Sequence, residues 1–176
     1  LFTPSANDST GHPSGVFLKP RLTRETPSRP SRARYLHVAS ATLSLSIEQA
    51  EAVIRSARDK AREIGVPMNV AVLDGAGHLK AFTRMDGAVL GSIDIALKKA
   101  KTAVLFGMNS EAVGEFSKPG GSSPGLAATN DGLVVFAGGI PIRDASGAVV
   151  GSVGVSGGAV DQDYAVALAA VAVRVS

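Results

Sequence analysis

Two tight turns constrain this chain more than any other feature. Asp74-Gly75-Ala76-Gly77 and Asp144-Ala145-Ser146-Gly147 each sit between short, β-branched, mostly apolar runs. Asp and Gly suit such turns because a short carboxylate bonds nearby backbone and glycine accepts positive φ. A turn this short joins antiparallel strands, whereas a parallel pair needs a crossover of about a dozen residues or more. The sheet of this chain is therefore expected to be antiparallel.

The flanking segments fill in the pattern. Met68–Leu73 enters the first turn. His78–Arg84 leaves it, with Leu79, Ala81 and Thr83 alternating with Lys80, Phe82 and Arg84, the period of a strand. Leu133–Ala137, Ile140–Arg143 and Val149–Val155 are three further strand candidates, the first two separated by Gly138-Gly139. Ser46-Ile-Glu-Gln49 is a capping-box pattern, and Ile47, Ala50, Val53, Ile54, Ala57, Ala61 and Ile64 follow at helical spacing until Gly65 and Pro67. That predicts a helix over 47–64. A second helix is predicted from Ser92 to Phe106-Gly107. Its expected buried stripe is Ile93, Leu97, Ala100 and Val104, with Asp94, Lys98 and Lys101 on a polar stripe where Asp94 meets Lys98. Ser110 starts a short helix through Phe116, 117–132 is a long loop, and a final Ala- and Val-rich helix spans about 161–173. The expected class is α+β: a central antiparallel five-stranded sheet flanked by helices.

Length fits one ordinary domain, and a 45% apolar content without Trp predicts a core of small side chains. The net charge of +3 is uneven. Residues 1–40 hold six Lys/Arg and two acids, whereas 41–176 hold 12 and 13. The basic character belongs to the extension, so no nucleic-acid-binding face is read on the domain. Five of the nine prolines also lie in 1–40, with many Ser and Thr. This predicts a disordered basic extension preceding a domain over 41–176, and the Arg- and Ser-rich composition also suits a transit segment. No apolar run matches a secretory signal or a membrane span. A cytoplasmic or organellar location is expected, without a membrane partner. The absence of Cys removes disulfides and thiolate chemistry.

No catalytic triad or metal-ligand cluster stands out, so the metal ligands stay unassigned. His78, the one histidine in 41–176, follows the first turn, and a single imidazole makes no typical zinc site. Arg84 and Asp86 either form a local ion pair or present a guanidinium fork to a carboxylate. Lys101 is either a solvated charge or a second anion contact. Phe116, with the 117–126 loop containing Pro124 and Gly125, is either a core aromatic or a flap over a flat apolar ligand. The run Gly151 to Gly158, leading into Asp161 and Asp163, fits neither a Walker loop nor a dinucleotide fingerprint. Asp74, His78 and Asp163 are the candidates for proton transfer.

Taken together, Val72-Leu-Asp-Gly-Ala-Gly-His78, Phe82-Thr-Arg-Met-Asp-Gly87, Ser92-Ile-Asp-Ile-Ala96 with Lys101-Thr-Ala103, Pro124-Gly125, Gly138-Gly-Ile-Pro-Ile142 and Gly151 through Asp163 resemble the GlcG/HbpS-like, or heme-degrading, domain family. The resemblance spans residues 43–173. It implies an α/β/α sandwich, a homo-oligomer and heme as ligand, with roles in heme degradation or in redox and iron sensing. On that basis Arg84, Asp86, Lys101, Phe116, Pro124, Gly125 and Gly139 are expected around a ligand. Because Cys is absent and His78 stands alone, an oxygen ligand to iron is expected from the 110–125 region. The alternative expectation is an enzyme or accessory protein for a small carboxylate or hydroxyacid, as corrinoid-related and glycolate-utilisation relatives suggest. A third is a non-catalytic oligomeric partner.

Overall fold

A computed structural model describes residues 45–173. The 1–40 extension lies outside the described residues. The elements are α1 (Ile47–Glu63), β1 (Asn69–Asp74), β2 (Leu79–Arg84), α2 (Ser92–Phe106), α3 (Ser110–Ser117), a 3-10 turn at Leu126–Ala128, β3 (Gly139–Arg143), β4 (Val149–Ser156) and α4 (Val160–Val171). α1 opens with the expected capping box: Gln49 N–H donates to Ser46 Oγ at 3.2 Å, and Ser46 N–H donates to Gln49 Oε1 at 2.8 Å.

Four strands form one sheet in the order β2-β1-β4-β3, with every neighbouring pair antiparallel. Both Asp turns close hairpins. The Asp144 carboxylate accepts from the Ser146 hydroxyl at 2.6 Å, the Ser146 N–H at 2.8 Å and the Ala148 N–H at 3.1 Å.

The fifth expected strand, Leu133–Ala137, does not form. Its polar groups are bonded elsewhere: Val134 N–H donates to Thr102 Oγ1 on α2 at 3.2 Å, and Phe136 C=O accepts from Ser110 Oγ on α3 at 2.7 Å. Side chains of two helices take these two backbone groups, and only Leu133 of the segment is buried, so it lies against α2 and α3 without a ladder.

The period-2 alternation of β1 divides the core. Val70 and Val72 join Val153, Val155, Ile140 and Ile142 with the apolar faces of α1 and α4. Ala71 and Leu73 join Ala96, Ala100 and Val104 of α2 in a second, smaller cluster. Of the stripe expected on α2, Ala100 and Val104 are buried, but the buried face is rotated from it toward Ala96 and Ala103. Ala96, Lys99, Ala100, Thr102 and Ala103 are fully buried, while Ile93 and Leu97 lie half-buried at the margin.

The cause of that rotation is backbone contact. Ala71, Gly154 and Gly139 sit side by side across β1, β4 and β3. A Cβ on Gly154 would lie 2.0 Å from Ala96 O, and one on Gly139 would lie 2.3 Å from Lys99 O. The two glycines leave the sheet bare there beside the single methyl of Ala71, so α2 lies directly on its backbone and turns small residues inward. Ser152 Oγ pins the contact by donating to Ala100 O at 2.7 Å.

Two outcomes follow. Gly154→Ala should destabilise the domain by about 1–3 kcal/mol through overpacking. Gly91→Ala, where a Cβ meets nothing within 4 Å, should stay within roughly 0.5 kcal/mol. Urea unfolding of both variants makes the comparison. The hydrogen bond from Ser146, followed by those from backbone N–H groups, holds the Asp144 carboxyl below its ordinary value of 3.8. Because the folded form binds its proton less readily than the unfolded chain, this stabilisation is complete above 3.8 and is lost as pH falls through the lowered value. Asp144→Asn should flatten that acid-side slope in unfolding curves taken across pH.

Candidate functional site

The inward turn of α2 places a lysine where no water reaches. Lys99 Nζ donates to Asp163 Oδ2 on α4 at 2.6 Å and to Val155 O on β4 at 3.0 Å, and it lies 4.7 Å from the centroid of the Phe136 ring. The side chains of Lys99 and Asp163 are 0% and 3% exposed. The second carboxylate oxygen, Asp163 Oδ1, accepts from Gly158 N–H at 3.0 Å. Burial pushes the Lys99 ammonium below its ordinary range, against the hydrogen bond and charge of Asp163 and the charge of Glu111. α2, β4, α4 and the 133–137 segment thus meet on one fully partnered ammonium, with a cation–π contact as its fourth side.

Phe136 also lines a cleft of about 570 Å³ between α3 and residues 135–137, within the size range of small-molecule sites. Val135, Ala137, Ala127 and Val160 supply apolar wall, and Glu111, Gly114, Glu115, Ser117 and Lys118 line the side contributed by α3 and its end. Gly114 is required there, because a Cβ would lie 2.3 Å from Val135 O. Glu115 is paired with Lys118. Ser117 Oγ accepts from Ala127 N–H at 3.0 Å. Glu111 Oε1 accepts from Asn109 Nδ2 at 3.0 Å, while its Oε2 is buried with no hydrogen-bond partner.

The residues expected from sequence do not converge on one place. Arg84 and Asp86 line a separate groove of about 310 Å³ with Arg58, Arg62 and Thr83 at the β2 edge, and no ion pair joins the two among the described residues. The cleft leads into β3, the opposite edge of a four-stranded sheet roughly 14 Å wide at about 4.8 Å per strand spacing. Lys101 lies in a third depression with Leu97, Lys98 and Asp131, donating to Asn130 O at 2.9 Å. Asp74 Oδ1 accepts from the N–H groups of Ala76 and His78 at 3.0 and 2.9 Å, and His78 is exposed on that turn. Phe116 is 44% exposed, and Pro124 and Gly125 are exposed beyond the cleft lining. Gly139 seats α2, with its N–H donating to Ser110 Oγ at 2.9 Å. Asp163 is the buried partner of Lys99. Lys99, Phe136 and Glu111 were not singled out from sequence. Lys99 alone left a sign there, as the one charge set among Ala96, Ala100 and Ala103.

Among the described residues, no group of three or more His, Asp or Glu side chains is arranged to hold a metal ion, and no helix is long and apolar enough to cross a membrane. The profile of the family described as "Haem degrading protein HbpS-like" matches residues 45–172.

The chain belongs to the HbpS-like family.

It is 40% identical over 127 residues to an uncharacterized 15.0 kDa protein in the dhaT-dhaS intergenic region of Citrobacter freundii, a match covering 72% of this chain and 86% of that one. It is 30% identical over 169 residues to the corrinoid adenosyltransferase PduO of Salmonella typhimurium, covering 95% of this chain but only 48% of PduO. Among solved structures, a PduOC:heme complex superposes with a TM-score of 0.70 at 33% identity, covering 73% of this chain and 94% of that chain. For this HbpS-like chain, removing one member of the buried pair should be expensive. Lys99→Met leaves Asp163 buried and uncompensated and should cost about 3–5 kcal/mol. Adding Asp163→Leu should recover part of that loss, giving a coupling energy of at least about 1 kcal/mol in a double-mutant cycle by denaturant unfolding.

Proposed function

We propose that this protein binds heme in the cleft beside Phe136. The observation that carries the reading is the cleft itself: about 570 Å³, with Val135, Phe136, Ala137 and Val160 as apolar wall and charged groups confined to the α3 side. A flat, largely apolar macrocycle with charged edges has that same division. The PduOC:heme complex among the similar structures supports the choice of ligand. The donor set also fits. Lys118, which pairs with Glu115, is the one cation among the residues lining the cleft and would turn to a propionate. When bound, heme supplies an iron centre for ligand exchange or electron transfer. The chain's part is to lay an apolar wall against the macrocycle and set its orientation.

The ring of Phe136 is held in place by the Lys99 ammonium, so the wall of the cleft is set before any ligand arrives. Assembly into a homo-oligomer is part of the same proposal. Its support is the exposure of Leu79, Val89 and Leu90 at 56%, 59% and 65% along the β2 edge and the start of α2, more apolar surface than an isolated domain gains by showing.

Hemin titration followed at the Soret band tests the reading. Saturable, stoichiometric binding is expected, and Phe136→Ala should weaken it by about ten- to thirtyfold, the equivalent of about 1.4–2 kcal/mol. A featureless rise that never saturates, identical in the variant, would remove heme from this site.

A further inference from the structure

The groove at the β2 edge gathers three arginines, and the fold leaves two of them without a counter-charge. Arg58 and Arg62 stand one turn apart on α1, Arg84 ends β2, and Thr83, Met85 and Asp86 complete the lining. Arg62 Nη1 donates to Asp59 Oδ1 at 3.1 Å. No ion pair reaches Arg58 or Arg84 among the described residues. Asp86 is the one acid in the lining, and it is exposed, whereas Arg58 is half-buried. Packing accounts for the placement. Arg58 and Arg62 each follow a buried alanine, Ala57 and Ala61, so the contact that seats α1 on the sheet sets both guanidiniums on one flank. Thr83 is the register partner of Val70, and such partners share a face of the sheet. Val70 packs against α1, so the Thr83 hydroxyl is turned to the same side as Arg58.

We propose that this groove binds a small dianion, a phosphoryl group or a short dicarboxylate, held between Arg58 and Arg84 with the Thr83 hydroxyl as a further donor. A guanidinium fork matches the paired oxygens of either group. Two uncompensated positive charges set the charge of the ligand. The volume of about 310 Å³ sets its size, and a lining with no aromatic ring gives a flat apolar molecule nothing to rest on. The site stands apart from the heme-binding reading, because it shares no lining residue with the Phe136 cleft.

The test is isothermal titration of the full chain at fixed ionic strength, with inorganic phosphate and succinate as separate probes in a chloride background. Saturable binding of at least one probe is expected. Phosphate alone identifies a phosphoryl ligand, succinate alone a dicarboxylate, and both a site that reads charge. Arg58→Gln and Arg84→Gln should each weaken the bound probe about tenfold, the scale of one hydrogen bond between charged groups. Arg55→Gln removes an equal charge from the same helix, at its pair with Glu51, and should change nothing. Hemin titration should be alike in all three variants. The proposal is overturned if neither probe saturates. Equal weakening in all three variants would also overturn it, by reducing binding to net charge. So would loss of hemin binding in Arg58→Gln and Arg84→Gln, which would assign the groove to heme propionates. If hemin fails on wild type while the probes behave as expected, the heme reading falls and the dianion site stands.

Discussion

Everything distinctive in this domain depends on α2 lying on bare backbone. Where Ala71, Gly154 and Gly139 cross the sheet in a row, the helix approaches until an added Cβ at Gly154 would stand 2.0 Å from its carbonyl. That approach selects Ala96, Ala100 and Ala103 for the contact face. It also carries Lys99, on the same face, into the interior. A buried ammonium must be partnered or it neutralises, and three elements answer it: Val155 O from β4, Asp163 from α4 and the Phe136 ring from the segment before β3.

The candidate site inherits its position from that ion pair. Phe136 presents its ring both to Lys99 and to the cleft, so the cleft wall is tied to a fully buried charge. Gly114 lets α3 close against Val135 from the other side. The pair is not needed for hydrophobic stability, since buried ion pairs return little net energy over apolar replacements. Its effect is geometric: it fixes the positions of α2, α4 and the 133–137 segment relative to one another.

How much of this could be read in advance follows from how local each signal is. The Asp74 and Asp144 turns and the Ser46–Gln49 capping box are decided within about five residues, and all three are present as expected. The antiparallel sheet followed from the turns. Leu133–Ala137 looked like a strand because its apolar, β-branched composition is the same whether a segment pairs with a strand or lies against helices; only Thr102 and Ser110, distant in sequence, decide between them. The rotation of α2 escaped for a similar reason. Ala100 and Val104 of the hydrophobic stripe are buried, but the glycine seat across β3 and β4 draws Ala96 and Ala103 inward and leaves Ile93 and Leu97 half-buried at the margin. Glu111, Phe136 and Lys99 come from three segments and acquire meaning through mutual position. Arg84 and His78, conspicuous in the sequence as chemical groups, lie on the β2 hairpin, away from the cleft.

The most direct measurement is a residue-by-residue map of where a heme-like ligand settles, using zinc protoporphyrin IX as a diamagnetic stand-in and backbone amide chemical shifts of the full chain as the readout. The account predicts the largest perturbations at Gly114, Val135 and Ala137, with those at His78 and Arg84 unmoved. Perturbations centred on the β2 hairpin, with the Phe136 cleft silent, would contradict it.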